Sequence, residues 1–263
     1  MFWKRKAKQV ESAGRGFSVP AGQRVYAIGD IHGRDDLFAQ MIDLIRADHA
    51  ARAPAELTLV LLGDLVDRGP QSSQVVERAI QLRAKFPGLR FLIGNHEECF
   101  LAALTGNVRR LRYFMRIGGD ATVQSYWPEG ENFADSSFEE VAERLPGLVP
   151  QSHIDFMSNG EDMVEIGDYL FVHAGIRPGV PLEKQTIADL RWIREDFLDH
   201  LGDYGKMVVH GHSISARPDE QLNRIGVDIG AFRTGALACL ALEGGQRWFI
   251  VAEVDTVVEA VAA

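Results

Sequence analysis

Leu57-Thr58-Leu59-Val60-Leu61-Leu62-Gly63-Asp64-Leu65-Val66-Asp67-Arg68-Gly69 is an apolar run that breaks into a glycine-bounded cluster of charge. A run without polar alternation suits a short strand buried on both faces. Arg24–Ile31 and Leu89–Asn95 repeat the pattern, each ending in a polar cluster. Between the first two runs, Leu37, Phe38, Met41, Ile42 and Ile45 recur at helical spacing, with Asp35 and Asp36 favourable in the first turn. Between the second and third, Val75, Val76, Ala79, Ile80 and Phe86 do the same, and Pro87-Gly88 stops that helix. This β-α-β-α-β order predicts an α/β fold with a parallel sheet and crossover helices.

Working outward, residues 1–22 carry Lys4, Arg5, Lys6, Lys8, Gly14, Gly16 and Gly22 with little periodicity, and read as a mobile N-terminal arm. Residues 23–263 read as a single domain. Residues 97–160 contain Arg109, Arg110, Arg112 and Arg116, then Gly118-Gly119 and Trp127-Pro128-Glu129-Gly130, and read as a mostly helical insert with a loop. Apolar runs resume at Tyr169–Val172 and Met207–Val209. Ile225–Ile229, Leu237–Leu242 and Trp248–Val251 follow at short spacing, as in an antiparallel edge or a second sheet.

The composition, with 46% hydrophobic and 25% charged residues, is that of a globular protein. A formal net charge of -9 opposes nonspecific binding to nucleic acid or anionic membrane, which needs a basic surface. Two cysteines, Cys99 and Cys239, make no disulfide framework, so the expected compartment is reducing and cytoplasmic. Met1 to Lys8 is basic but no apolar run follows it, so it does not read as a signal peptide. No apolar stretch approaches the ~18 residues of a membrane span.

Five strand-end clusters hold most of the metal-type side chains: Gly29-Asp30-Ile31-His32-Gly33, Gly63 to Gly69, Gly94-Asn95-His96-Glu97, Val172-His173-Ala174-Gly175 and His210-Gly211-His212-Ser213. In an open α/β sheet the carboxyl ends of the strands line the ligand crevice, so the clusters should converge. Asp30 and His32 are two apart and face the same way in an extended segment. Mixed carboxylate, imidazole and amide donors suit Mn, Fe, Zn or a related ion. Neither cysteine lies in a cluster, which argues against structural zinc. Two ions ~3.5–4 Å apart, sharing a carboxylate, activate a bridging water and clamp the oxygens of a phosphoryl transfer. Any one cluster alone reads as a satisfied turn or a surface ion pair; five in one chain do not.

In this order, Gly-Asp-Ile-His-Gly, Gly-Asp-Leu-Val-Asp-Arg-Gly, Gly-Asn-His-Glu, His-Ala-Gly and Gly-His-Ser resemble the signature of the PPP-type metallophosphatases of the calcineurin-like phosphoesterase superfamily. More closely they resemble its bacterial and lambda-type phage serine/threonine phosphatases and the related symmetrical diadenosine tetraphosphatases. The resemblance runs from about Tyr26 to Gly235. It implies a two-sheet β-sandwich flanked by helices and a dinuclear centre, most readily of manganese. By resemblance, Asp30, His32 and Asp64 hold the first ion, with Asp64 bridging, and Asn95, His173 and His212 complete the second. The resemblance makes His212 the ligand although His210 also faces that side of an extended strand. His96 matches the general acid, Asp67 the group that orients it, and Arg68 a phosphate-binding arginine. Arg194 resembles a second such arginine, with Arg191 as rival. Asp228-Ile229-Gly230 resembles an Asp-Thr-Gly segment with the Thr replaced, and Asp228 is assigned no role beyond support.

Cysteine phosphatases need an arginine six residues after the cysteine, where this chain has Thr105 and Gly245, and there is no P-loop sequence. The expected activity is therefore metal-dependent hydrolysis of a phosphate ester, with phosphorylated Ser or Thr of a protein ranked first. Hydrolysis of a dinucleoside polyphosphate is the alternative enzyme reading, and a silent phosphopeptide-binding module the non-enzyme one. The insert is expected to roof the cleft. Arg109, Arg112 and Arg116 share one helical face, either solvated or gripping further phosphates.

Overall fold

The computed structural model describes residues 16–254, and within them two five-stranded sheets pack face to face with helices outside. The first sheet begins with β1 (Gln23–Ile28), α1 (Asp35–Ala50), β2 (Glu56–Leu61), α2 (Ser72–Lys85) and β3 (Leu89–Phe91), and its three strands run parallel. A mostly helical stretch with a loop at 127–137 follows: α3 (Asn95–Ala103), α4 (Val108–Phe114), a kinked turn at Met115–Gly119, α5 (Asp120–Tyr126), α6 (Phe138–Leu148) and α7 (Gln151–Ser158). The second sheet holds β4 (Met163–Ile166), β5 (Tyr169–Val172), β6 (Met207–His210), β7 (Asp219–Glu220) and β8 (Arg224–Gly226), with α8 (Ile187–Trp192) between β5 and β6. β9 (Ala236–Glu243) and β10 (Gln246–Glu253) return to the first sheet as an antiparallel edge, in the order β10-β9-β1-β2-β3.

The apolar runs lack alternation because both faces of each sheet are covered, yet the period of two survives in what each residue touches. Val25, Ala27, Val60, Leu62 and Leu240 point between the sheets, against Tyr169, Phe171, Val209 and Ile225. Their neighbours Tyr26, Ile28, Leu59, Leu61 and Cys239 point outward, under α1 and α2. On the far side, Leu170, Val172 and Val208 pack with Leu190 of α8. The buried stripe of α1 consists of the five residues the helical spacing predicts.

Two consequences position the site. β1, β2 and β3 are parallel, and so are β5, β6 and β8. Their ends are level: Ile28 pairs with Leu61, Leu61 with Phe91, and His210 with Gly226. Six carboxyl ends therefore open on one edge of the sandwich, where ligands bind in such sheets. Of the expected N-terminal arm, residues 1–15 lie outside the described residues. Residues 16–22 lie against the body, with Val19 buried between the sheets and its N–H donating to the Gly244 carbonyl at 3.0 Å. Among the described residues no helix is long and apolar enough to cross a membrane. Both cysteines are buried and free.

Phe171 is fully buried between the sheets. Phe171→Ala should lower the unfolding free energy by about 3–5 kcal/mol through lost transfer energy and a residual cavity. Urea unfolding should show this as a lower midpoint with an unchanged slope.

Candidate metal centre

All five expected clusters meet at that edge. Asp64 follows β2 and is buried at its centre. His32, from the turn after β1, brings Nε2 to 3.7 Å from its carboxylate. His96 of α3 brings Nε2 to 3.8 Å, and His173, after β5, to 3.4 Å. Asn95, at the start of α3, sets Oδ1 3.0 Å from His173 Nε2 and 2.9 Å from His212 Nδ1. Asp30 accepts the His212 backbone N–H at 3.0 Å. Asp64 belongs to two triads of potential ligands, one with His32 and His96 and one with His173 and His212.

The backbone is strained to achieve this. Among the described residues, the non-glycine positions with positive φ are His32, Asp64, Asp67, Arg68 and His212, at 46°, 49°, 74°, 68° and 61°. Each such residue costs roughly 1–3 kcal/mol and persists only where its surroundings over-determine it. Glu97 supplies part of that determination. Its buried carboxylate accepts the N–H groups of Gly94, Asp64 and Leu65 at 2.8, 2.9 and 2.7 Å. A Cβ on Gly94 would collide with the Asp64 carboxylate, so the two loops approach as only glycine permits.

Hydrogen bonding fixes the tautomers, and the tautomers define what the site can hold. His32 Nδ1–H donates to the Val66 carbonyl at 2.7 Å, and His173 Nδ1–H to the Leu62 carbonyl at 2.7 Å. Both rings then turn an Nε2 lone pair toward Asp64. Burial lowers the His32 pKa to about 3 and also lowers that of His173, so both stay neutral. Burial, then the charges of Asp228 and Asp64, push Asp30 well above the usual carboxylate range. His212 Nε2 and Asp228 Oδ2 are buried without a hydrogen-bond partner. Lone pairs facing lone pairs, crowded carboxylates and orphaned acceptors fit divalent cations with N and O ligands. Carboxylate and imidazole donors on both sides of Asp64 match the dinuclear arrangement.

The remaining expected residues divide. His96 Nδ1–H donates to Asp67 at 2.6 Å, and its Nε2 lies 3.0 Å from Arg68 Nη2. Arg68 Nη1 reaches His32 Nε2 at 2.9 Å. Burial disfavours the His96 charge, but Asp64 and Asp67 outweigh it and the pKa is raised. Arg194 is exposed and close enough to His212 for its charge to bear on that ring. Arg191 is engaged elsewhere, tied to Asp162 at 2.7 Å and Glu98 at 3.2 Å. His210 does not join the cluster. The left-handed turn at His212 separates the two rings, and His210 lies edge-on to Phe197 at 5.0 Å. Asp228 accepts the Gly230 N–H at 2.8 Å while its charge bears on Asp30, a supporting place. Arg109, Arg110, Arg112 and Arg116 are exposed on the insert, with Arg112 over the Phe138 ring.

Sequence reasoning gave Glu97 no role, although glutamate three residues after a helix N-cap is a readable signal. Thr122 and Ser72 carried no signal. Both bond the Asp67 N–H, at 2.8 and 3.0 Å, Thr122 from 55 residues away and Ser72 from the start of α2.

The model of the family described as calcineurin-like phosphoesterase matches residues 23–231. A symmetrical bis(5'-nucleosyl)-tetraphosphatase of Acidovorax ebreus is 41% identical over 88 residues, 34% of this chain and 28% of that protein. Its counterpart in Chromobacterium violaceum is 31% identical over 160 residues, 61% of this chain and 46% of the relative. The chain thus spans less than half the length of either symmetrical relative. An asymmetrical bis(5'-nucleosyl)-tetraphosphatase of Halalkalibacterium halodurans is 25% identical over 224 residues, 81% of this chain and 87% of the relative. Among solved structures, a candidate diadenosine tetraphosphatase superposes with TM-score 0.58 at 22% identity, over 90% of this chain and 99% of its own. A Saccharomyces cerevisiae protein serine/threonine phosphatase gives TM-score 0.58 at 14% identity, over 89% and 80%. At these identities both show a shared fold.

The donor geometry predicts that Asp64→Asn weakens binding of both divalent ions. Titration calorimetry with manganese should show at least roughly a 100-fold loss of affinity, the upper end for removal of a mere supporting partner.

Proposed function

Since the chain belongs to the calcineurin-like phosphoesterase family, we propose that it is a two-metal hydrolase that cleaves dinucleoside polyphosphates at the Asp64 centre. The chemistry rests on one observation: imidazole lone pairs from separate chain segments face a single buried carboxylate. The substrate class rests on the tetraphosphatase names of the curated relatives. These favour the polyphosphate over the phosphoprotein that sequence reasoning ranked first. The protein serine/threonine phosphatase among the structural neighbours, at 14% identity, speaks for the fold alone.

Asp30, His32 and Asp64 would hold one ion, and Asp64, Asn95, His173 and His212 the other. Bound there, divalent ions supply an acidified water and neutralise phosphoryl oxygens. The protein's own groups do the rest. Arg68 lies between His32 and His96, where its planar fork would meet two phosphate oxygens, and Arg194 adds positive charge on the His212 side. A water that has given up one proton to solvent would attack phosphorus while the bond from phosphorus to the leaving oxygen breaks. His96 delivers a proton from Nε2 to that oxygen, while Asp67 holds Nδ1–H and stabilises the imidazolium. This acid pair, with its 2.6 Å contact, has no use in a silent phosphopeptide-binding module.

His96→Asn should retain the metals yet lower kcat on phenyl phosphate by roughly 10²–10⁴-fold, the usual range for a general acid. The loss should shrink on 4-nitrophenyl phosphate, whose leaving group scarcely needs a proton. Loss of metal in elemental analysis would mean that His96 is a ligand instead.

For the substrate, kcat/KM measured side by side should favour diadenosine tetraphosphate over a phosphoserine peptide. Replacing Arg109, Arg112 and Arg116 together by Ala should raise KM for the polyphosphate by about tenfold, equivalent to 1.4 kcal/mol, and leave the peptide unaffected. A wild-type preference for the peptide would overturn the reading.

A further inference from the structure

The helical insert reaches into the acid pair itself. Asp67 and Arg68 are consecutive residues in the left-handed region, with φ of 74° and 68°. Neither backbone N–H is satisfied within its own loop alone. The Arg68 N–H donates to the carbonyl of Gly118, in the kinked turn of the insert, at 2.8 Å. Gly118 has φ 109° and lies so close that a Cβ there would meet Arg68 Cγ at 2.7 Å. One turn further on, Thr122 of α5 is fully buried. Its Oγ accepts the Asp67 N–H at 2.8 Å and donates to Asp67 Oδ1 at 2.6 Å. Ser72 Oγ, at the start of α2, lies 2.9 Å from the same hydroxyl. The other Asp67 oxygen, Oδ2, holds His96 Nδ1–H. An unbroken chain therefore runs from the insert through Thr122 and Asp67 to the His96 ring.

We propose that Thr122 is a positioning residue for proton transfer, fixing the Asp67 carboxylate so that it aims His96 Nε2 into the cleft. The inference rests on the acid role of His96 proposed above. A carboxylate held only by its histidine can rotate about its terminal torsion, which is soft. Thr122 removes that freedom by engaging the backbone N–H and the outer oxygen of Asp67 with one hydroxyl. Serine keeps both functions, cysteine offers a weak donor, and valine keeps only the shape.

The test compares Thr122→Ser, Thr122→Cys and Thr122→Val in the manganese-loaded full chain. The substrates are phenyl phosphate and 4-nitrophenyl phosphate, with His96→Asn alongside. Thr122→Val should lower kcat on phenyl phosphate by roughly 10- to 100-fold, the cost of misplacing a reacting group by about an ångström. On 4-nitrophenyl phosphate the loss should be several-fold smaller, with KM unchanged on both. Thr122→Ser should restore wild-type behaviour, and Thr122→Cys should fall between, which keeps the test intact if the valine variant does not fold. In parallel, with diamagnetic zinc in place of manganese, the low-field proton resonance of the His96 Nδ1–H···Asp67 bond should be retained in Thr122→Ser and broadened or lost in Thr122→Val. Equal losses on both aryl phosphates, or no loss with the resonance intact, would overturn the proposal while leaving the role of His96 standing. If His96→Asn itself shows no dependence on the leaving group, the acid reading fails, and the resonance alone then decides whether Thr122 holds the pair.

Discussion

A carboxylate buried among imidazole lone pairs is the constraint on which the rest of the molecule depends. Asp64 is stable in that place only if positive charge joins it, because burying an uncompensated anion is prohibitively costly. The architecture can be read as the means of gathering that charge. Parallel strands with level ends deliver His32, Asp64 and Asn95 from one sheet and His173 and His212 from the other. Glu97 then gathers four backbone N–H groups of the loops around Asp64, and backbone strain concentrates at His32, Asp64, Asp67, Arg68 and His212. Such strain is sustainable because the sandwich beneath is closely packed on both faces of each sheet.

The insert between β3 and β4 is more than a wall around the cleft. Gly118 and Thr122 satisfy the backbone N–H groups of two strained neighbours, Arg68 and Asp67. The non-helical φ of 109° at Gly118 kinks an otherwise helical run at the point of contact. Arg191 ties the other side of the cleft to α3 through Glu98, which leaves Arg194 as the arginine exposed near His212. Packing of the insert and the chemistry of the site are thus linked through a few named hydrogen bonds.

Much of this was legible in the sequence because it is local. β1, β2 and β3 are buried on both faces and so appear as unbroken apolar runs, and the stripe of α1 shows its period directly. The motif residues are legible because each follows its strand at once. What was not legible depends on long-range geometry or on a single dihedral angle. β4 is four residues long with only two buried, and β7 has two residues, too little for a pattern. Whether β9 and β10 edge the first sheet or build the second depends on their pairing with β1. An extended reading puts His210 and His212 on one side, and a φ of 61° at His212 undoes it. Thr122 meets Asp67 across 55 residues with no motif to announce it.

The central claim is that Asp64 joins two metal ions into one centre. Electron paramagnetic resonance of the manganese-loaded chain addresses it directly. The account predicts an exchange-coupled spectrum at full loading, replaced by that of isolated ions in Asp64→Asn. A wild-type spectrum of magnetically isolated manganese at full loading would contradict it.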